Sequence, residues 1–261
     1  MWFRSLNPKL TDWRGRRVWI VGSSTGIGAA LAQHLGRQGA RLALSARNRD
    51  ALLYTARALP DALILPMDVS IAGHWHATHR QIIEQWSQLD MVVFCAASYQ
   101  QERSWQVEGC SARQTIEVNL TSIYYGLEVI LPTLLAQQSG SLVLIASVAG
   151  YMGLPNASVY GPTKAALINL AELLYADLHP KGLGIYLVNP GFVRTPLTAR
   201  NQFHMPALQT PEQAASAIVQ GLAQGRFEID FPKRFTRPMK WASLLPYRWR
   251  FALMNQLLHL T

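Results

Sequence analysis

The chain has 261 residues, 49% hydrophobic and 15% charged, which is long enough for one large core and a composition that argues against disorder. Its formal charge of +9 leaves three kinds of anionic partner, a nucleic acid, a membrane surface or an anionic ligand, to be separated by where the cations fall. Cys95 and Cys110 have neither metal-ligand nor disulfide-framework spacing, so a reducing, cytoplasmic setting is the simpler expectation.

Residues Met1 to Pro8 are basic but lack the apolar run of a secretory signal. No later segment reaches about 18 uninterrupted apolar residues, which argues against a membrane-spanning helix. Instead, short apolar runs rich in β-branched residues alternate with helical periodicity. Strands are predicted at Arg17–Val21, Leu42–Ser45, Ala62–Pro66, Met91–Cys95, Ser141–Ala146, Gly184–Asn189 and Phe227–Phe231. Helices are predicted near 27–38, 49–58, 71–87, 112–137, 158–177 and 211–224, the last opened by Thr210 as cap and Pro211 at its first position. Strands alternating with helices describe an α/β fold: a doubly wound parallel sheet of about seven strands with helices on both faces. That domain spans residues 1–232, and 233–261 forms a carboxyl-terminal extension.

The first strand runs into Val21-Gly22-Ser23-Ser24-Thr25-Gly26-Ile27-Gly28, so glycines at 22, 26 and 28 leave a strand and open a helix. Glycine allows the tight turn and lets backbone N–H groups approach a pyrophosphate at the positive end of that helix, with Ser24, Thr25 and Ile27 alongside. About 20 residues on, where an acidic side chain would bind the ribose hydroxyls of NAD, the second strand ends in Arg47 and Asn48. A guanidinium there can pair with a 2′-phosphate, which favours NADP. Asp68, followed by Val69, ends the third strand, where it either bonds an adenine or caps the helix that follows.

Further along come Asn119 in Glu117-Val118-Asn119-Leu120, Ser147 at the end of the fifth strand, and Asn189-Pro190-Gly191 after the sixth. Tyr160 and Lys164 stand four apart on a predicted helix, so their side chains stack one above the other. A free phenol ionises near pKa ~10, and a neighbouring ammonium that lowers it makes it a proton donor and acceptor near neutrality.

Taken together, these spacings from about residue 16 to 232 resemble the short-chain dehydrogenase/reductase family, whose fold is a single-domain Rossmann-like sheet. The resemblance implies an oxidoreductase that interconverts a ketone or aldehyde and an alcohol by hydride transfer with NADP(H). It makes Tyr160 the general acid and base, with Ser147 donating to the same oxygen. Lys164 would lower the phenol's pKa and hold the nicotinamide ribose, and Asn119 would hold a water that relays protons to Lys164. On the nicotinamide side it implies Pro190, Gly191, Val193 and Thr195, and it makes Ala96 a further cofactor-binding residue. The family also implies a homodimer or homotetramer assembled through the helices that carry Asn119 and Tyr160.

Two positions depart from the family pattern. Val21 stands where many members have threonine, and Phe94-Cys95-Ala96-Ala97 where they have Asn-Asn-Ala-Gly. Replacing both polar partners together strands no buried group, so cofactor binding is expected to survive, with Ala97 slightly crowding the site. The alternative built on this departure is a catalytically weak NADP-binding protein with a regulatory or membrane-docking role.

Ser98, Tyr151, Met152, Leu154, Phe192, Leu197, Phe203 and Met205 are expected around a mostly apolar pocket, which suggests a hydrophobic or lipid-like substrate. Between Arg226 and Arg250, five cations are interleaved with Phe231, Phe235, Trp241, Tyr247 and Trp249, a mixture that suits a membrane surface. No nucleic-acid partner is expected. From Tyr247 on, Tyr247, Phe251, Met254 and Leu258 share one helical face, opposite Arg248, Asn255 and His259; this helix can lie on a peripheral inner-membrane surface, cover the pocket or pack on a partner subunit. His74, His76 and His79 do not share a helix face, so a solvated helix is expected there and no metal site is assigned.

Overall fold

Buried apolar runs pair side by side in the computed structural model, which describes residues 5–259 apart from Pro60 and Gln202. They are β1 (Arg17–Val21), β2 (Arg41–Ser45), β3 (Leu63–Ile64), β4 (Met91–Phe94), β5 (Ser141–Ile145), β6 (Gly184–Pro190) and β7 (Glu228–Phe231). All pair in parallel in the order β3-β2-β1-β4-β5-β6-β7, as expected of a doubly wound sheet. Central strands β1, β4 and β5 are buried on both faces, which is why they read as unbroken Val/Ile/Leu runs. Only β3 falls well short of its expected length. It is an edge strand with register pairs only at Leu63 and Ile64, and beyond them the Leu65 and Met67 N–H groups donate to the Leu44 and Ala46 carbonyls at 2.9 and 3.0 Å.

The helices are α1 (Gly26–Arg37), α2 (Arg49–Thr55), α3 (Ala72–Trp86), α4 (Gly109–Ile116), α5 (Ser122–Gln137), α6 (Tyr160–Leu178), α7 (Pro211–Ala223), α8 (Lys233–Ser243) and α9 (Tyr247–His259). α7 opens as predicted: Thr210 Oγ1 accepts from the Gln213 N–H at 3.2 Å while Gln213 Oε1 accepts from the Thr210 N–H at 2.9 Å. The single helix expected over 112–137 is instead α4 and α5 joined by a π-turn at Glu117–Thr121, with Asn119 inside the turn. The combined run Gly109–Gln137 is long and apolar enough to cross a bilayer, although it lacks an uninterrupted apolar stretch. Here Ile123, Leu127, Ile130 and Leu134 are buried in the core beneath the sheet, so the apolarity has a packing reason.

Two cores cover the two faces. On one, Trp19, Trp75 and Phe94 meet edge to face and tilted, with centroids 5.5 and 5.8 Å apart, beside α3, α5 and α6. On the other, α1 and α7 lie against Ile20, Val93, Val143 and Val188. Of the α3 histidines, His74 and His76 are exposed and His79 is half-buried. His74 Nδ1 accepts from the Asp68 N–H at 3.1 Å, and His79 Nε2 pairs with Thr133 Oγ1 at 3.1 Å.

α8 packs against β7 and the short turn Val148–Gly150. Lys233 and Thr236 bond Asp230, and Lys240 bonds Glu228, so the extension is tied to the last strand by side chains. The side chains of Arg200 and of residues 256–259 lie outside the description, so Leu258 and His259 are not placed.

Candidate active site

The carboxyl ends of β1, β4, β5 and β6 open into one cavity of about 590 Å³. Ser147, Tyr160 and Lys164 line it. So do Gly22, Ser24, Thr25, Gly26, Ile27, Arg47, Asn48, Asp68, Val69, Ala96, Pro190, Gly191, Val193 and Thr195. The parallel sheet brings together residues more than 170 positions apart because every strand delivers its carboxyl end to the same edge.

At the glycine turn the backbone leaves no room for side chains. Gly22 has φ +93°, and a Cβ there would meet the Ala96 nitrogen at 2.4 Å; one on Gly28 would meet the Gly22 oxygen at 2.1 Å. Gly28 therefore lies behind the cavity wall and lets α1 press onto β1. Thr25, the N-cap of α1, makes no side-chain cap bond and no acidic residue occupies the first turn, while the Gly28 N–H bonds the Cys95 sulfur.

Asn119 does not reach the cavity. It is fully buried, with Oδ1 accepting from the Ser98 N–H at 2.7 Å and Nδ2 donating to the Ser98 carbonyl at 2.9 Å and to Thr163 Oγ1 at 3.1 Å. Its side chain thus pins the loop after β4 to α6.

Tyr160 and Lys164 stand near one another on α6. Lys164 Nζ, deep in the protein, donates to the Ile145 carbonyl at 2.9 Å and lies 5.4 Å from the centre of the Tyr160 ring. Burial drives the ammonium down to about 8. Burial also pushes the Tyr160 phenol up to about 12, against a hydrogen bond with Ser147 that favours the phenolate. Desolvation outweighs the other influences on the phenol, and the Lys164 ammonium bonds the Ile145 carbonyl. Tyr99 packs edge-on against Tyr160 at 5.1 Å and donates to the Asn156 carbonyl at 3.1 Å.

At the other end, Asp68 Oδ1 accepts from the Ser70 N–H at 3.0 Å and from Ser70 Oγ at 2.7 Å. Burial opposes its charge, yet the Ser70 bonds and the nearby Arg47 and His74 hold its carboxyl below the usual range. It lines the cavity while bonding the residue that leads into α3. Asn48 likewise faces the cavity and caps α2, accepting from the Ala51 N–H at 3.0 Å.

Of the pocket residues expected from sequence, Ser98 and Leu197 line the cavity, and the other six do not. Tyr151 instead donates to Glu228 Oε1 at 2.6 Å, Met152 is buried, and Phe192 packs on Phe203 and Phe235 at 5.8 and 5.5 Å. In their place stand Tyr99, Gln100, Ser111, Gln114, Thr115 and Val118. The α4 residues Ser111, Gln114 and Thr115 fall at i, i+3 and i+4, a shared face that was readable in the sequence.

A sequence profile described as short chain dehydrogenase matches residues 16–205. The chain belongs to that family. This short-chain dehydrogenase is 30% identical over 235 residues to an uncharacterized oxidoreductase of Myxococcus xanthus, a match covering 88% of this chain and 93% of that one. It is also 30% identical over 247 residues to 11-beta-hydroxysteroid dehydrogenase-like 4A of Arabidopsis thaliana, covering 88% and 81%. Among solved structures, a short-chain dehydrogenase/reductase of Burkholderia phymatum in complex with NAD superposes with a TM-score of 0.82 at 22% identity, over 88% of this chain and 94% of that one. A short-chain dehydrogenase of Sphingobium yanoikuyae in complex with NADPH gives 0.78 at 24%, over 92% and 95%. These likenesses support the same nucleotide-binding, Rossmann-like fold, and the chain is an oxidoreductase of the family.

Where this dehydrogenase departs from the family pattern, the replacement is apolar on both sides. Val21 and Phe94 are register partners across β1 and β4 and are both buried in the tryptophan core. Burial pushes the Cys95 thiol up to about 11, so it is protonated at neutral pH.

Proposed function

We propose that this short-chain dehydrogenase reduces a ketone or aldehyde to an alcohol, and runs the reverse, with NADPH and NADP as the hydride couple. The observation that carries the reading is one cavity with Tyr160, Ser147 and Lys164 on one stretch of wall and Arg47 on another. The residues present suit the cofactor: glycines let the chain turn sharply at β1, the amino end of α1 is open to a pyrophosphate, and Arg47 stands where a 2′-phosphate needs a cation. Bound there, the cofactor supplies the hydride that adds to the carbonyl carbon.

The chain's part is the proton. Tyr160, held neutral by burial, gives its phenolic proton to the carbonyl oxygen as the carbon is reduced. Ser147 Oγ already accepts the Ala149 N–H at 3.1 Å, which leaves its hydroxyl proton to donate to that same oxygen. Lys164 is fixed by Ile145 beneath the phenol and stabilises the phenolate left behind. Asn119 acts from outside, holding the Ser98 loop against α6.

A hydrophobic substrate is supported by the name of the Arabidopsis relative, and NADPH by the Sphingobium complex. The wall built from Tyr99, Gln100, Ser111 and Gln114 supports a compound that also carries a hydrogen-bonding group near its carbonyl. Exposed Tyr124 on α5 and Leu173 on α6 suit assembly of a homodimer or homotetramer through those helices.

NADPH and NADH absorbance, followed with purified protein against aliphatic, steroid-like and 3-keto-lipid carbonyls, tests the reading. Turnover is expected with NADPH, and Tyr160→Phe should lower kcat/KM by about 10²–10⁴-fold while NADPH binding, read by fluorescence titration, is retained. Full turnover by Tyr160→Phe would overturn the proton-donor role.

A further inference from the structure

We propose that α8 and α9 form a docking surface for an anionic lipid bilayer. After Asp230 the chain contains no Asp or Glu, while Lys233, Arg234, Arg237, Lys240, Arg248 and Arg250 all lie there. Lys233 and Lys240 are matched internally by Asp230 and Glu228, and Arg250 donates to the carbonyls of Ser243 and Leu245. Arg234, Arg237 and Arg248 are exposed, with no carboxylate on either helix to answer them.

Around these cations, large apolar side chains face water. Trp241 is 72% exposed, Leu244 73%, Tyr247 68%, Trp249 68% and Phe251 54%. Single exposed apolar residues are ordinary, but six from Trp241 to Phe251, Leu245 among them, are not. Tryptophan and tyrosine prefer the headgroup level of a bilayer, leucine and phenylalanine the acyl boundary, and arginine the phosphates of anionic lipids.

Charge complementarity chooses this occupant over the others. A second copy meeting this face about a two-fold axis would set the same arginines against each other with no acid between them. A nucleic acid would answer the arginines and stack on Trp241 and Trp249, but it would leave the apolar Leu244 and Leu245 facing water.

The surface is not a loose tail. On its inner side α8 places Phe235 against the cavity wall: a Cβ on Gly191 would lie 2.8 Å from Phe235 Cδ1, and the ring is 5.5 Å from that of Phe192. A bilayer that holds the outer side of α8 therefore holds the whole dehydrogenase domain.

Co-sedimentation of the full chain with large vesicles tests this. Wild type should bind phosphatidylcholine vesicles containing phosphatidylglycerol, bind pure phosphatidylcholine far more weakly, and release as salt shortens the Debye length from about 10 Å at 0.1 M to about 3 Å at 1 M. R234E/R237E/R248E should weaken binding by about a hundredfold, roughly a factor of five for each cation removed. W241S/W249S should lose most of the remaining attachment, with both variants unfolding at the wild-type temperature. The proposal is overturned if the wild type does not sediment with anionic vesicles, or if the charge-reversal variant sediments equally well. It is also overturned if W241S/W249S converts a wild-type dimer to monomer in gel filtration, or if a single-stranded oligonucleotide binds more tightly than the vesicles.

Discussion

The cavity and the carboxyl-terminal helices both depend on cations, and they use them in opposite ways. Lys164 is one ammonium sunk among apolar groups with a single carbonyl to bond, and burial pulls it down to about 8. Arg234, Arg237 and Arg248 stand in water, where a cation acts through its number and neighbours and is screened by salt. A buried charge is a tuned chemical group, whereas an exposed set is an additive field. Arg47 lies between the two kinds, exposed at the rim of the cavity yet close enough to help hold Asp68 ionised.

Three substitutions sharpen that contrast. The largest effect is expected at Lys164, whose folded value of about 8 lies below its ordinary 10.5. Between those values the unfolded chain holds a proton that the folded chain does not. Wild-type stability should therefore rise with pH across that window, and the benefit should fade as pH falls through the folded value. Lys164→Met removes this slope, so it should exceed wild type near neutrality by up to about 3 kcal/mol and converge with it towards pH 10.5. Tyr160, raised from 10.0 to about 12, works in the opposite sense from about pH 10 upward, overlapping only the top of that window. Urea denaturation of both proteins at several pH values checks this, and parallel curves would show that burial does not tune the lysine.

Arg47 comes next. If it pairs with a 2′-phosphate, Arg47→Ala should raise the KM for NADPH about 10- to 100-fold, the loss of a hydrogen bond to a charged group, and leave that for NADH nearly unchanged. Equal effects on both cofactors would reduce Arg47 to a general rim charge.

The smallest effect is expected where surface charge meets the fold. Glu228 accepts from Tyr151 at 2.6 Å and from Asn189 Nδ2 at 2.9 Å, and it anchors Lys240 of α8. Lys240 is 54% exposed, so its share of the ion pair is modest. Glu228→Gln should cost about 1 kcal/mol, lowering the unfolding temperature by about 2–4 °C, and should quicken amide exchange across residues 233–243.

Much of this architecture was legible along the chain. Strands β1, β4, β5 and β6 are unbroken apolar runs because both faces are covered, and the Thr210-Pro211 start of α7 is a local chemical signal. β3 was overestimated because an edge strand ends where its single partner stops, which no periodicity reports. The π-turn that divides the expected 112–137 helix was hidden for a related reason: it is held by Asn119 bonding Ser98 and Thr163, 21 and 44 residues away. The apolar pocket was misplaced because composition shows that Phe192, Phe203 and Tyr151 are large but not which way they turn. Phe192 turns to Phe203 and to Phe235 of α8, and Tyr151 to Glu228 of β7, partners 11 to 77 residues away.

What the sequence determined alone was the inventory and its order: a parallel sheet, a glycine turn opening α1, an arginine where an acid would select NAD, and a tyrosine, serine and lysine at family spacing. These follow from period and local chemistry, which neighbours along the chain specify. The tertiary structure decided how those groups stand. It set Tyr160 near 12 and Lys164 near 8, engaged Asn119 away from the cavity, made a polar wall of α4 and left the aromatics of α8 and α9 in water. Protonation and exposure depend on how much solvent each group loses to residues distant in sequence, and only the folded packing fixes that loss.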